Sequence, residues 1–377
     1  MAKRGNGEGT IVKRKDGRWM GSITTGRDIT GKQKRKSVYG KTKKEVQEKL
    51  NKISMEVYQE SYIEPSTITL YTWLENWLKN YKAISLKPAT YDLYETLIET
   101  VIKQEIGHIK LKDIKPIHIQ AFYNKLFDDG KGYATSTIQK VNNILNPAFK
   151  IAIKNELIRI NPVDSVEMPK HKERQVRALT MEEQIIFLEA AKNNWYYSAF
   201  VIALDTGLRC GELLALEWDD IDLKNSEIKV YKNIVAVKDR DCKESKQKIV
   251  VQTSPKTAKS VRTIPLTQRA TSTLKELKLK QQSLSNIVVC TKNGTHVFPK
   301  NLRRTFQCIL KNANIEKLGL HVLRHTYATR LFEAGANPKT VSELLGHTNV
   351  SITLDTYTHV LPHQKKETVK LLDTLSI

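Results

Sequence analysis

A mainly α fold with small β-sheets, organised as three domains, is what this sequence predicts. Three observations carry that expectation. Residues 1–60 alternate short β-type runs with turns and end in one helical run. Residues 65–165 carry apolar side chains at helical spacing almost throughout. Residues 175–377 mix helical runs with a cluster of short β-type segments. The domains are therefore set at 1–62 (a three-stranded sheet plus helix), 65–165 (a helical bundle) and 175–377 (mixed α/β), reasonable sizes for a chain of 377 residues.

In the first domain, Thr10–Arg14, Arg18–Thr25 and Lys34–Tyr39 read as strands. Lys15-Asp16-Gly17 and Asp28–Gly31 read as the turns between them. Thr42 with Glu45 forms a capping box that opens a helix to about Tyr58. Trp19, Gly21 and Ile23 share one strand face and can pack on Val46, Leu50 and Ile53. The opposite face, with Arg18, Met20 and Ser22, is left polar and basic. In the second domain, Leu70, Trp73, Leu74, Trp77, Leu78 and Tyr81 make a core stripe. Pro88 starts a helix that Gly107 ends. Ile117–Phe127 and Ala134–Leu157 follow, with a bend expected at Pro147. A Pro- and Lys-rich strap, Met168–Arg174, joins this bundle to the third domain. There Thr180 and Glu183 cap a helix to about Lys192, and Tyr197–Leu204 and Gly211–Leu216 are helical. Ile228–Val237, Lys248–Gln252 and Val261–Pro265 are expected to form one small antiparallel sheet, and the remainder is mainly helical.

The net charge is +22, which points to a polyanionic partner, most simply nucleic acid. Half of that excess falls in residues 1–44, where fourteen Lys and Arg face three acids. A three-stranded sheet of this width can enter a DNA major groove. Arg14, Arg18, Lys34 and Lys36 are its candidate DNA contacts. The four cysteines are widely spaced, so neither a disulfide scaffold nor a cysteine-type zinc site is expected, and a reducing cytoplasm fits. The N-terminus has no apolar signal core, no run is long and apolar enough to span a membrane, and Gly40-Lys41-Thr42 lacks the earlier glycine of a phosphate loop. No cofactor, metal or ATP is called for.

The third domain holds the chemistry. Arg209 lies between glycines in LDTGLRCGELLALEW. His321, Arg324 and His325 share a helix face in HVLRHTYATRL. His347 follows Gly346, and Tyr357 comes ten residues later. Lys256 sits at the tip of a strand-turn-strand, VQTSPKTAKSVRTIPL. Two arginines, histidines, a lysine and a tyrosine suit phosphoryl transfer at a diester. Guanidinium forks match non-bridging oxygens, tyrosine is a nucleophile whose phosphoester conserves bond energy, and lysine can protonate a leaving alkoxide. Other readings exist for the parts. His321 and His325 could ligate zinc, Pro338–Tyr357 also reads as a DNA-binding helix-turn-helix, and Lys246, Lys248 and Lys259 lie close to Lys256.

Gly207-Leu208-Arg209-Cys210-Gly211-Glu212, His321-Val322-Leu323-Arg324-His325, Leu345-Gly346-His347 and Asp355-Thr356-Tyr357 together resemble the boxes of the tyrosine recombinase, or lambda-type integrase, family. Ser351–Tyr357 most resembles integrases of conjugative transposons and of temperate phages of Gram-positive bacteria. The resemblance implies an arm-site-binding domain, a core-binding domain and a catalytic domain, in that order. It implies Tyr357 as the nucleophile forming a 3′-phosphotyrosyl link, Arg209 and Arg324 on the non-bridging oxygens, and Glu212 supporting Arg209. His321 would assist proton transfer, His347 would donate a hydrogen bond to phosphate, and Lys256 would be the general acid. It further implies a homotetramer on double-stranded DNA with core and arm attachment sites, integration and excision of a mobile element, and room for an excision-directing factor as a further partner. Val369–Leu375 is apolar enough to dock on its own domain or on a neighbouring protomer. The rivals are a chromosome-dimer resolvase or a type IB topoisomerase with the same nucleophile, and a non-catalytic helix-turn-helix regulator.

Overall fold

The computed structural model describes residues 9–27, 32–58, 67–128, 132–169, 177–240, 248–253, 261–282 and 284–357. The expected Asp28–Gly31 turn, most of the Met168–Arg174 strap, Lys246, Lys256, Lys259 and Val369–Leu375 lie outside them. The chain divides into two compact units, Met1–Lys172 and Glu173–Ile377.

The first unit contains two separate apolar cores. Strands β1 (Thr10–Lys13), β2 (Trp19–Arg27) and β3 (Gln33–Gly40) form an antiparallel sheet in chain order. Helix α1 (Lys43–Tyr58) covers one face through Val46 and Leu50, which pack with Ile23 and, less deeply, Ile11, Trp19 and Val38. Close approach depends on Gly21, where a Cβ would lie 2.6 Å from Leu50 Cδ1. The capping box at α1 is shifted by one partner. Glu45 N–H donates to Thr42 Oγ1, but the Glu45 carboxylate accepts from Lys41 N–H instead of Thr42.

The second core is helical: α2 (Leu70–Trp77), α3 (Pro88–Leu97), the short α4 (Lys103–Glu105), α5 (Pro116–Asp128) and α6 (Thr135–Lys154), which runs through Pro147. Trp73 and Trp77 are buried in it, and Trp73 Nε1 donates to Ala148 O. A π turn at Leu78–Lys82 follows α2. Tyr81, within this turn, stands half exposed, keeps its ring tilted against that of Trp73 with centroids 6.2 Å apart, and donates its hydroxyl to Asn155. A second π turn, Ile98–Ile102, joins α3 to α4.

In the second unit, α7 (Met181–Ala191) starts at the expected Thr180–Glu183 capping box. Next come α8 (Tyr197–Thr206) and α9 (Cys210–Leu214). Five strands follow: β4 (Ile221–Asp222), β5 (Glu227–Val230), β6 (Asn233–Lys238), β7 (Lys248–Thr253) and β8 (Arg262–Pro265). They form two sheets, β4-β5-β8 and β6-β7, not the single sheet expected. The expected strand Ile228–Val237 is broken at Tyr231-Lys232. There Lys232 Nζ binds the Glu217 carboxylate at 2.5 Å and that of Asp220 at 3.1 Å, anchoring the corner. Helices α10 (Gln268–Gln281), α11 (Pro299–Asn312), α12 (Val322–Glu333), α13 (Pro338–Leu345) and α14 (Val350–Tyr357) complete the unit. Its core centres on Phe187, Phe200 and Phe306, with ring centroids 5.3–6.0 Å apart.

Candidate active site

Two left-handed glycines build the site. Gly207 (φ 61°) ends α8, and Gly346 (φ 65°) ends α13. At the end of α13, Gly346 N–H returns to Glu343 O and His347 N–H to Ser342 O, a Schellman closure. Side chains are unwelcome at both positions for reasons beyond φ. A Cβ on Gly207 would lie 2.4 Å from the Tyr327 ring, and one on Gly346 3.0 Å from Arg262 Nη1.

The last carbonyls of α13 lack helical partners and carry the negative end of its dipole. Three arginines meet them. Arg262 Nε donates to Leu344 O (2.7 Å), Arg324 Nη2 to Leu345 O (2.6 Å) and Arg209 Nη2 to Gly346 O (3.1 Å). Arg324 also donates to Gly207 O at 2.8 Å, tying α8, α12 and α13 together while only 2% exposed. Arg209 precedes α9 in an extended conformation. Its backbone N–H and its Nη1 both donate to the Glu212 carboxylate, at 2.9 and 2.7 Å. Burial pushes the Glu212 carboxyl up, but hydrogen bonds and charge from Arg262, then Arg209, outweigh that and hold it below its ordinary value.

His321 caps the start of α12, and its ring meets that of His325 edge to face, centroids 4.7 Å apart. Among the described residues, no third His, Cys, Asp or Glu joins them as a metal site would need. His347 Nδ1 lies 2.7 Å from the buried Thr353 Oγ1 on α14. Crowding by protein around the rings, then the positive charge of Arg324 and Arg209, pushes His321 and His347 down to about 4. Burial, then His321 and Arg324, pushes His325 down to about 3. His321 keeps an exposed edge despite this crowding. All three rings are therefore neutral at pH 7, and a neutral ring can donate a hydrogen bond through its N–H.

A pH prediction arises here. These folded-state values lie below the ordinary 6.5, so the unfolded chain binds more protons between about 6.5 and 4. Stability should be full above pH 6.5 and decline as pH falls below it. Thermal melts at pH 7.5 and 5.5, where carboxylates stay ionised, should show a lower melting temperature at 5.5. The change should shrink in a variant carrying His325→Gln and His347→Gln. A melting temperature that stays level across this window would contradict neutral site histidines.

The structure thus brings Arg209, Arg324, His321 and His347 to the elements around the end of α13. The backbone of Tyr357 closes α14, but its side chain, like all of Lys256, lies outside the described residues. Arg262 was not singled out by sequence. The available signal was strand alternation: Arg262 shares the inward face of β8 with the buried Ile264, an unusual place for a guanidinium.

The basic sheet divides its candidates. Register pairs Ile23 with Lys36 and Gly21 with Val38, so Lys36, and Lys34 by alternation, lie on the α1 side. The open face carries Arg35 opposite Thr24 and Tyr39 opposite Met20. Arg14 stacks on Tyr39, its guanidinium 5.6 Å from the ring centroid. Arg14 also pairs with Arg18 at the hairpin end through a backbone bond.

Residues 172–364 match the model of the phage integrase family, and residues 69–127 match that of the phage integrase N-terminal SAM-like domain. A tyrosine recombinase XerC-like protein of Caldanaerobacter subterraneus is 36% identical over the full length of both chains. The ICEBs1 integrase of Bacillus subtilis is 26% identical, covering 97% of this chain and all of that one. Among solved structures, the Tn1549 transposon integrase in complex with transposon right end DNA matches with a TM-score of 0.68 and 24% identity. It covers 81% of this chain and 100% of that chain. A lambda integrase dimer bound to a core site matches with a TM-score of 0.60 and 22% identity, over 94% and 96%. With one family model spanning just over half its length and a relative matched end to end, the chain belongs to the phage integrase family of tyrosine recombinases, site-specific enzymes that break and rejoin DNA strands.

Proposed function

We propose that this chain integrates and excises a mobile DNA element, with Arg209, Lys256, His321, Arg324, His347 and Tyr357 as its catalytic residues. The observation that carries the reading is the convergence of Arg209, Arg324 and His347 on the end of α13. In this reading Tyr357 Oη attacks the scissile phosphorus. His321 assists removal of its proton. Arg209 and Arg324 meet the charge that gathers on the non-bridging oxygens, and His347 donates a hydrogen bond to one of them. Lys256 gives a proton to the departing 5′-oxygen. The product is a 3′-phosphotyrosyl link and a free 5′-hydroxyl. Attack by a 5′-hydroxyl of the partner duplex reverses the step and releases Tyr357, so no nucleotide is consumed.

The sheet of residues 1–62 is assigned to arm-type DNA, the helical region 65–165 to core DNA, and 175–377 to catalysis. The net charge of +22 supports DNA as partner. Four protomers on a Holliday junction would exchange strands in pairs; a lambda integrase tetramer bound to a Holliday junction supports this assembly. An excision-directing factor is a further partner of the same reading.

The decisive assay is a suicide duplex, nicked just beyond the cleavage site so that the short fragment bearing the free 5′-hydroxyl diffuses away and the adduct is trapped. A denaturant-stable protein–DNA band is expected. Its absence would favour the non-catalytic regulator, which the helix–turn–helix form of α13, Gly346 and α14 otherwise suits. Deleting residues 1–60 should remove one class of DNA site and leave core cleavage intact. The full chain should bridge two separated sites and the truncated chain only one. For every phosphate that the truncated chain no longer neutralises, the salt slope should fall in magnitude by about 0.9. A footprint identical before and after deletion would count against the arm-binding assignment.

A further inference from the structure

We propose that Arg262 is a positioning residue for strand cleavage: by gripping the Glu212 carboxylate and the end of α13 at once, it presents Arg209 and His347 to the phosphate together. The inference rests on the assignment of Arg209 to the scissile phosphate.

Strand β8 sets the direction of this side chain. Its register against β5 pairs Arg262 with Val230 and Ile264 with Ile228, and both Ile264 and Ile228 are fully buried. Arg262 therefore points inward, with its side chain 6% exposed. Three directed contacts of its planar fork fall among the described residues. Nη2 and Nη1 take the two Glu212 oxygens, at 2.9 and 3.3 Å, and Nε takes Leu344 O at 2.7 Å. The side chain also lies flat against Gly346, where a Cβ would come within 3.2 Å of its Cδ. Gly346 directly precedes His347 and accepts from Arg209. One guanidinium thus links the carboxylate that holds Arg209 to the turn that holds His347.

The carboxylate is the shared element. Arg209 Nη1 and Arg262 Nη1 both reach Glu212 Oε1, while the Arg209 backbone N–H and Arg262 Nη2 both reach Oε2. Without Arg262, a carboxylate that is 6% exposed is left to Arg209 alone. A carboxylate in that position favours a two-pronged bond with the remaining guanidinium, which turns donors of Arg209 away from DNA. Lysine cannot substitute, since a point charge cannot reach both oxygens and Leu344 O in one plane.

The test uses the full chain, a suicide duplex, and four variants: Arg262→Lys, Arg262→Gln, Glu212→Gln, and the Arg262→Gln/Glu212→Gln pair. Single-turnover adduct formation, duplex affinity and thermal melting are measured for each. Arg262→Lys keeps charge and bulk. It should fold and bind DNA like wild type yet form adduct about 10–100-fold more slowly, the scale of an ångström-level misplacement. The paired variant should cleave faster than Arg262→Gln alone, because a neutral amide no longer captures Arg209. A purely structural role makes cleavage follow the folded fraction or the affinity, and makes the paired variant slower than either single one; that result overturns the inference. So does wild-type cleavage by Arg262→Lys. If Arg262→Gln does not fold, Arg262→Lys decides. A wild-type chain that forms no adduct overturns the recombinase site assignment, and this inference with it, whereas an active wild type with an indifferent Arg262→Lys overturns the inference alone.

Discussion

Tyr357→Phe abolishes covalent adduct formation on a suicide duplex while DNA affinity and melting temperature stay as in the wild type. The substitution removes one oxygen from the last residue of α14 and retains the ring. If that oxygen is the nucleophile, no other bond to phosphorus can form at the site, so the effect is total. In the proposed mechanism Arg209 and Arg324 remain to hold the phosphate, which is why binding should survive. Adduct is read as a band that persists in denaturant, and affinity as a gel shift under native conditions. A denaturant-stable complex from Tyr357→Phe would mean that another residue attacks, and would remove Tyr357 from the mechanism.

Lys256→Ala slows cleavage by about 10²–10⁴-fold, the usual range for loss of a general acid. A 5′-alkoxide leaves poorly unless a proton reaches it. Slower cleavage alone does not separate an acid from a lysine that merely holds a phosphate. Replacing the bridging 5′-oxygen by sulfur does, because a thiolate departs without protonation. On that substrate Lys256→Ala should cleave at close to the wild-type rate. Arg209→Ala and Arg324→Ala should remain slow, since their proposed task is charge on the non-bridging oxygens, which sulfur leaves in place. Rescue of the same change at Lys246, Lys248 or Lys259, and none at Lys256, would move the acid to that residue.

Much of the architecture was legible because local rules governed it. The Thr180–Glu183 box, Pro88 and Pro338 at helix starts, and the glycine at the end of α13 mark boundaries through backbone chemistry that neighbours in sequence determine. The stripe from Leu70 to Leu78 is buried as its spacing requires. Where local rules met a tertiary partner they gave way. Lys232 split a strand that reads as continuous because two acids from another segment, Glu217 and Asp220, claimed its ammonium group. Tyr81, wound into a π turn, stays half exposed at the edge of its stripe, against the Trp73 ring. In β3, the candidate contacts Lys34 and Lys36 alternate onto the α1 side, and Arg35, which was not among the candidates, takes the open face.

Residue types and their spacing along the chain already mark which side chains could do phosphodiester chemistry. That choice depends on residue type, and the boxes around Arg209, His321–Arg324, His347 and Tyr357 are compact enough to read directly. How they are held depends on packing between distant segments. Gly207 and Leu345 are 117 and 21 residues from Arg324, yet both supply its carbonyl partners, and Leu344 is 82 residues from Arg262. The helix end that orients three arginines is a product of packing α8, α12, α13 and β8 together. Its carbonyls come from the backbone, which every residue carries alike, so no pattern of side chains announces them. Arg262 is the clearest case: as one more arginine in a basic chain it is unremarked, and burial against Glu212 is what makes it distinct.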